Sequence, residues 1–228
     1  MLRVTVTLIG LLASCGVVWA AQPPAGGQAA GAAAPIAANA DAPALSGAAL
    51  VKALRQGGYV LLMRHASSPP NPPDSAAAEP DNTRPERQLD DTGKTTARAM
   101  GEALRRLGVP IGRVLSSPTY RALQTARLEG LPAPETFPEL GDGGQSMQAA
   151  SGGQGAWLRG KVADPPRANT NTVIITHLPN IRAAYAADAS AIGDGEALVL
   201  RPDGKGGAQL LGRIKIGEWP ALAQAPPA

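Results

Sequence analysis

The chain has 228 residues, 21 Lys+Arg against 18 Asp+Glu for a formal net charge of +3, two histidines, His65 and His177, and a single cysteine, Cys15. That inventory excludes a disulfide framework and zinc modules and, with Cys15 lost or capped at the leader, any metal site built from three His or Cys ligands. Aromatic side chains make up 3% of the chain and charges of both signs are mixed along it, so the sequence offers neither a base-stacking surface nor a polyanion footprint, and no nucleic-acid partner is expected.

Met1-Leu2-Arg3, an apolar stretch from Val4 to Trp19 and the small-residue pattern Val18-Trp19-Ala20 read as a signal peptide over 1–20, cleaved after Ala20. The stretch is too short for a membrane span. An exported, periplasmic protein is therefore expected. Leu12-Ala13-Ser14-Cys15 also resembles a bacterial lipobox, and a lipoprotein anchored through Cys15 is the alternative. Residues 21–45, rich in Ala, Gly and Pro, lack the branched side chains of a core and read as a flexible linker. Residues 46–220 form one domain, followed by a disordered tail over 221–228.

Within that domain Tyr59-Val60-Leu61-Leu62-Met63 is a continuous apolar run, which suits a strand buried on both faces, and it ends in Arg64-His65. A Pro-rich loop follows through Pro85. Asp90 or Asp91 then caps a helix whose apolar positions are Ala97, Met100, Ala103, Leu104 and Leu107, stopped by Gly108 and Pro110. Val114-Leu115-Ser116 is a short strand, and Ser117-Pro118 opens a second helix with Arg121 in its first turn. Leu131 to Gly155 reads as irregular. Val173-Ile174-Ile175-Thr176 is a third buried strand and ends in His177; Pro179 to Ala187 is a short helix; Ala197–Leu200 and Gln209–Ile216 are strands joined through Pro202-Asp203-Gly204. This alternation predicts an α/β, three-layer fold, a mainly parallel sheet with helices on both faces.

Both histidines follow a buried strand, and in open α/β sheets ligands bind beyond the carboxyl ends of the strands. A third strand end leads into the helix bearing Arg121, whose N-terminus favours an anion. One rim could thus gather Arg64, His65, Arg121 and His177 around a phosphate, which guanidinium groups bind in bidentate geometry.

Arg64-His65-Ala66, Ser116-Ser117-Pro118 with Arg121 and Thr125-Ala126, and Thr176-His177 resemble the histidine phosphatase superfamily, also called phosphoglycerate mutase-like, in that family's order over about residues 58 to 216. Leu89-Asp90-Asp91-Thr92-Gly93 and Gly195-Glu196-Ala197 are similar to its further segments. The resemblance implies a phosphatase that hydrolyses a phosphomonoester through a covalent phosphohistidine on His65. Arg64, Arg121 and His177 would bind the phosphoryl oxygens, the flanking cations would keep His65 neutral, and neither metal nor cofactor would be needed. For the general acid the resemblance points to Glu139 in Phe137-Pro138-Glu139-Leu140-Gly141-Asp142, with Asp142 as runner-up.

The chain departs from the family in three places. Leu178-Pro179-Asn180 stands where phytase-like members carry an acid after the second histidine, the first motif continues as Ala66-Ser67-Ser68-Pro69-Pro70-Asn71, and the loop from Leu140 to Trp157 is short, which favours a hydrolase over a mutase. Asn71 has a suitable offset from His65, and Arg87 could reach the same rim. The partner is then a small phosphorylated substrate or a phosphoprotein. Two other readings stand beside this one: a phosphohistidine-protein or pyrophosphate hydrolase that needs no general acid, and an inactive phosphate-binding module.

Overall fold

The structure, a computed structural model of the chain, describes residues 44–142, 153–186, 188–189 and 191–224. The signal peptide expected at 1–20, with Cys15 and Ala20, lies outside these residues, as do 21–43 of the expected linker and 225–228 of the expected tail.

The first element, α1 (Gly47–Gln56), forms because Leu50, Val51 and Leu54 fall on one face and are buried. Strand β1 (Val60–Arg64) follows, then helix α2 (Asp91–Arg106), strand β2 (Ile111–Ser116) and helix α3 (Tyr120–Glu129). A two-residue strand β3 (Glu135–Thr136) and a 3-10 turn (Pro138–Leu140) precede α4 (Gln154–Ala163). Strand β4 (Asn171–Thr176), helix α5 (Leu178–Tyr185) and strands β5 (Ala197–Pro202) and β6 (Ala208–Ile214) lead to a second 3-10 turn (Ile216–Glu218) and α6 (Trp219–Gln224).

The strands form one sheet in the order β3-β2-β4-β1-β5-β6. The pairs β3–β2, β2–β4 and β4–β1 are parallel, whereas β5 runs antiparallel to β1 and β6 antiparallel to β5. Alternation along each central strand splits the core in two. Leu61, Met63, Val173 and Ile175 pack with residues of α1, α2, α3 and α6, while Val60, Leu62, Leu115 and Ile174 pack with α4 and α5. Covered on both faces, these strands need the unbroken apolar runs seen in the sequence, and each buried Leu or Ile contributes about 1.5–3 kcal/mol. The architecture is the expected three-layer α/β fold.

Several local expectations need correction. The helix bearing Arg121 does not open at Ser117-Pro118: Ser117 Oγ accepts from Thr119 N–H at 3.2 Å, Thr119 stays extended as the N-cap, and the helix starts at Tyr120. The stretch 131–155, expected to be irregular, contains β3, the 3-10 turn and the start of α4. Its Gly and Pro content hid the structure. Gly155 is there because α4 crosses α5 closely, so that a Cβ would sit 2.4 Å from the Ala183 carbonyl oxygen. The tail expected to be disordered from 221 is helical to Gln224, anchored by the fully buried Trp219. At the other end the expected linker is already part of the fold by Leu45, whose N–H donates to the Leu211 carbonyl on β6 at 2.6 Å.

Candidate active site

Strands β1, β4 and β2 lie side by side, and their carboxyl ends are tied together by backbone bonds. His65 N–H donates to the Thr176 carbonyl at 3.1 Å and Ser117 N–H to the Ile175 carbonyl at 3.0 Å. The segment after His65 is held from two further sides: Ala66 N–H donates to Thr125 Oγ1 at 3.1 Å, and Gly195 N–H to the His65 carbonyl at 3.0 Å. Gly93 lets the first turn of α2 close on the same segment, since a Cβ there would lie 2.2 Å from the Ser67 carbonyl oxygen.

On this frame His65, Arg121 and His177 are buried together, 3%, 4% and 2% exposed. His65 Nδ1 lies 2.8 Å from the Ala66 carbonyl, which can only accept; Nδ1 therefore carries the proton and Nε2 the lone pair. Arg121 Nε–H points at that lone pair at 3.2 Å. Arg121 Nη2 donates to His177 Nδ1 at 3.1 Å and to the Asp142 carboxylate, so His177 holds its proton on Nε2, 2.9 Å from Ser117 Oγ and 3.3 Å from Thr119 Oγ1. The two imidazole rings meet edge to face with centroids 5.1 Å apart.

Burial pushes the His65 pKa well below the ordinary 6.5, and His177, Arg121 and Arg64 add to the effect against the Ala66 carbonyl, which raises it. His177 falls to about 2, again chiefly by burial and then by Arg121, Arg87 and Arg64. Both rings are neutral at neutral pH. The sequence attributes this to the flanking cations; in the fold desolvation leads and the cations follow.

The other expected residues are placed unevenly. Arg64 stands close enough to lower both histidines, and its Nη2 is paired with Asp194 Oδ1 at 2.6 Å. Asp142 touches Arg121 and lies 3.7 Å from His177 Nδ1. Its backbone is set by Thr176 Oγ1, which donates to the Leu140 carbonyl at 2.7 Å, and by Asn180 Nδ2, which donates to the Gly141 carbonyl at 2.7 Å. Glu139 is different. Only its backbone carbonyl is engaged, by Asn180 Nδ2 at 3.4 Å, and its side chain is absent from the cleft that Asp142 and Arg121 line. Among the described residues no group of three or more His, Cys, Asp or Glu is placed to hold a metal.

The family model that matches is the histidine phosphatase superfamily (branch 1), over residues 60–140, which takes in Arg64, His65, Arg121 and Glu139. A solved structure of the protein histidine phosphatase SixA complexed with tungstate shares the fold with a TM-score of 0.50, at 23% identity, covering 70% of this chain and 98% of that one. Residues 60–140 of this chain thus match the histidine phosphatase superfamily. Also similar are Rv3214 from Mycobacterium tuberculosis (TM-score 0.46, 18% identity, 67% of this chain and 94% of that one) and TTHB049 from Thermus thermophilus (0.40, 21%, 69% and 99%). No curated protein matches the chain.

The candidate site opens into a cleft of about 690 Å³, walled on its far side by the Pro-rich loop after His65. Asn71, Arg84, Glu86 and Arg87 line it with Arg121 and Asp142. Arg87 is fixed by donating from Nε to the Pro69 carbonyl at 2.6 Å and from Nη2 to the Ser68 carbonyl at 3.2 Å. Sequence reasoning missed the partners of the central residues: Thr119 and Ser117 at His177, Thr125 beneath Ala66, and Asp194 at Arg64. Ser117 and Thr125 stood in the motifs already singled out, but nothing in the residue pattern shows which hydroxyl meets which ring.

Proposed function

We propose that the protein is a phosphatase that hydrolyses a phosphomonoester through a phosphohistidine on His65 Nε2. The observation that carries this reading is the bond from His65 Nδ1–H to the Ala66 carbonyl, which leaves a neutral ring with its lone pair turned to the Arg121 guanidinium. A phosphate that takes over the Arg121 donors releases Nε2 for attack. The lone pair forms the N–P bond, the ester P–O bond breaks, and the electron pair leaves on the ester oxygen. The phosphorylated ring is cationic with its proton on Nδ1, and the Ala66 carbonyl is in place to accept it. Arg121, with His177 and Arg64, offsets the charge on the equatorial oxygens.

Asp142 is the proton donor in this reading, in preference to Glu139. Asp142 lines the cleft beside the Arg121 guanidinium that would hold the phosphoryl group, whereas Glu139 does not line it. The protonated Asp142 then gives its proton to the departing oxygen. As a carboxylate it takes one from the water that attacks phosphorus, which breaks the P–N bond and restores His65. Rates on an alkyl and a good-leaving-group aryl phosphate test this. His65→Ala should abolish both; Asp142→Asn should slow the alkyl ester by about 10²–10⁴-fold and the aryl ester much less; Glu139→Gln should change neither. If Asp142→Asn leaves the alkyl rate intact, the assignment is wrong and a substrate with a better leaving group, such as protein phosphohistidine, becomes the better reading.

A further inference from the structure

We propose that Arg84 is a specificity residue, binding a second anionic group of a small ester whose phosphoryl group sits at His65; the proposal rests on the phosphatase reading above. A bare phosphate needs far less room than the cleft provides, and about 690 Å³ is the size that takes a drug-sized molecule. Its cations are not equivalent. Arg121 commits its guanidinium to His65, Asp142 and His177, and Arg87 is bonded to two backbone carbonyls of the cleft wall. Arg84 lines the same cleft, is exposed, and has no hydrogen-bond or ion-pair partner among the described residues. An unengaged guanidinium presents its donors to a carboxylate or phosphate in bidentate geometry.

The loop that carries Arg84 is braced. Buried Asn82 donates from Nδ2 to the Glu86 carbonyl at 2.9 Å and accepts from Glu86 N–H at 3.0 Å, closing the loop around Arg84. Glu86 in turn accepts from Tyr120 N–H at 3.1 Å, at the start of the helix that bears Arg121. Pro85 fixes its own φ and restricts the backbone of Arg84 before it. The two cations are therefore held by one connected frame, one over the reacting phosphoryl group and one at the cleft wall. Glu86, the other acidic residue in the cleft besides Asp142, is occupied by the helix N–H and leaves Arg84 unneutralised.

Phenyl phosphate and 4-carboxyphenyl phosphate differ by one anionic group and form the test pair. The wild type should show a KM about tenfold lower for the carboxylated ester, the size expected of a charge-assisted bond. Arg84→Ala should abolish the preference and Arg84→Glu invert it, both with phenyl phosphate kinetics unchanged. Calorimetric binding of the two esters to His65→Ala gives the same comparison without turnover. If neither measurement shows a preference that Arg84→Ala removes, the proposal fails while hydrolysis of phenyl phosphate still supports the phosphatase reading. A phosphopeptide preferred over both esters by wild type and Arg84→Ala alike also overturns it. Binding discrimination without hydrolysis of either ester would uphold Arg84 and overturn the phosphatase reading.

Discussion

Arg121 in the first turn of α3 and Glu129 at its last residue are both removed from water, 4% and 0% exposed, yet Arg121 is surrounded by His65, Asp142 and His177 whereas neither carboxylate oxygen of Glu129 has a hydrogen-bond partner. One helix thus holds two buried ionisable groups by opposite means. Arg121 stays charged because acceptors face it. Glu129 survives burial by keeping its proton, since desolvation alone raises its pKa from 4.5 to about 8. A buried charge with partners marks the site; a buried acid without them marks a cost borne by the fold.

The largest effect should come from breaking the partnered end. Arg121→Ala removes the donor to His65 Nε2, the donor to His177 Nδ1 and the counter-charge of Asp142 at once. It should lower kcat/KM by about 10²–10³-fold on any phosphate ester, measured by steady-state kinetics. Arg121→Lys should not restore it, because a single ammonium cannot reproduce the planar set of donors. Near-normal turnover in either variant would show that the cluster serves folding rather than chemistry.

The unpartnered end should respond in stability. A carboxyl whose pKa is higher folded than unfolded binds its proton more tightly in the native state, so stability falls as pH rises from 4.5 to about 8 and the loss is complete above that. The full effect corresponds to about 5 kcal/mol. Glu129→Gln keeps a neutral buried polar group like the protonated acid but cannot ionise, and should therefore gain up to about 5 kcal/mol at pH 9 in urea unfolding with little gain at pH 4.5. Equal gains at both pH values would mean that ionisation of Glu129 on unfolding does not drive the gain. His65 and His177 act in the other direction: held neutral by burial, they withdraw stability as pH falls below 6.5.

Much of this was legible in the residues. The apolar runs ending at Met63 and Thr176 gave away buried parallel strands, because only a strand covered on both faces needs no polar alternation. The position of Arg64, His65 and His177 at strand ends, and of Arg121 in the helix that follows a third, came from topology. Elements rich in Ala and Gly, α1, α4 and α6, were not legible. Their burial depends on close approach to neighbours, as at Gly155 against Ala183, and that is a property of packing. The choice between Glu139 and Asp142 was hidden for a related reason. Both sit in one short turn, and only the bonds from Thr176 and Asn180 to its carbonyls determine which carboxylate meets Arg121.

The phosphohistidine itself is the most direct object of measurement. Brief incubation with a radiolabelled aryl phosphate, quenching in alkali and peptide mapping should give an acid-labile, alkali-stable label on the peptide that contains His65, lost in His65→Ala. Turnover that proceeds with no such label, or with the label on His177, would contradict the account.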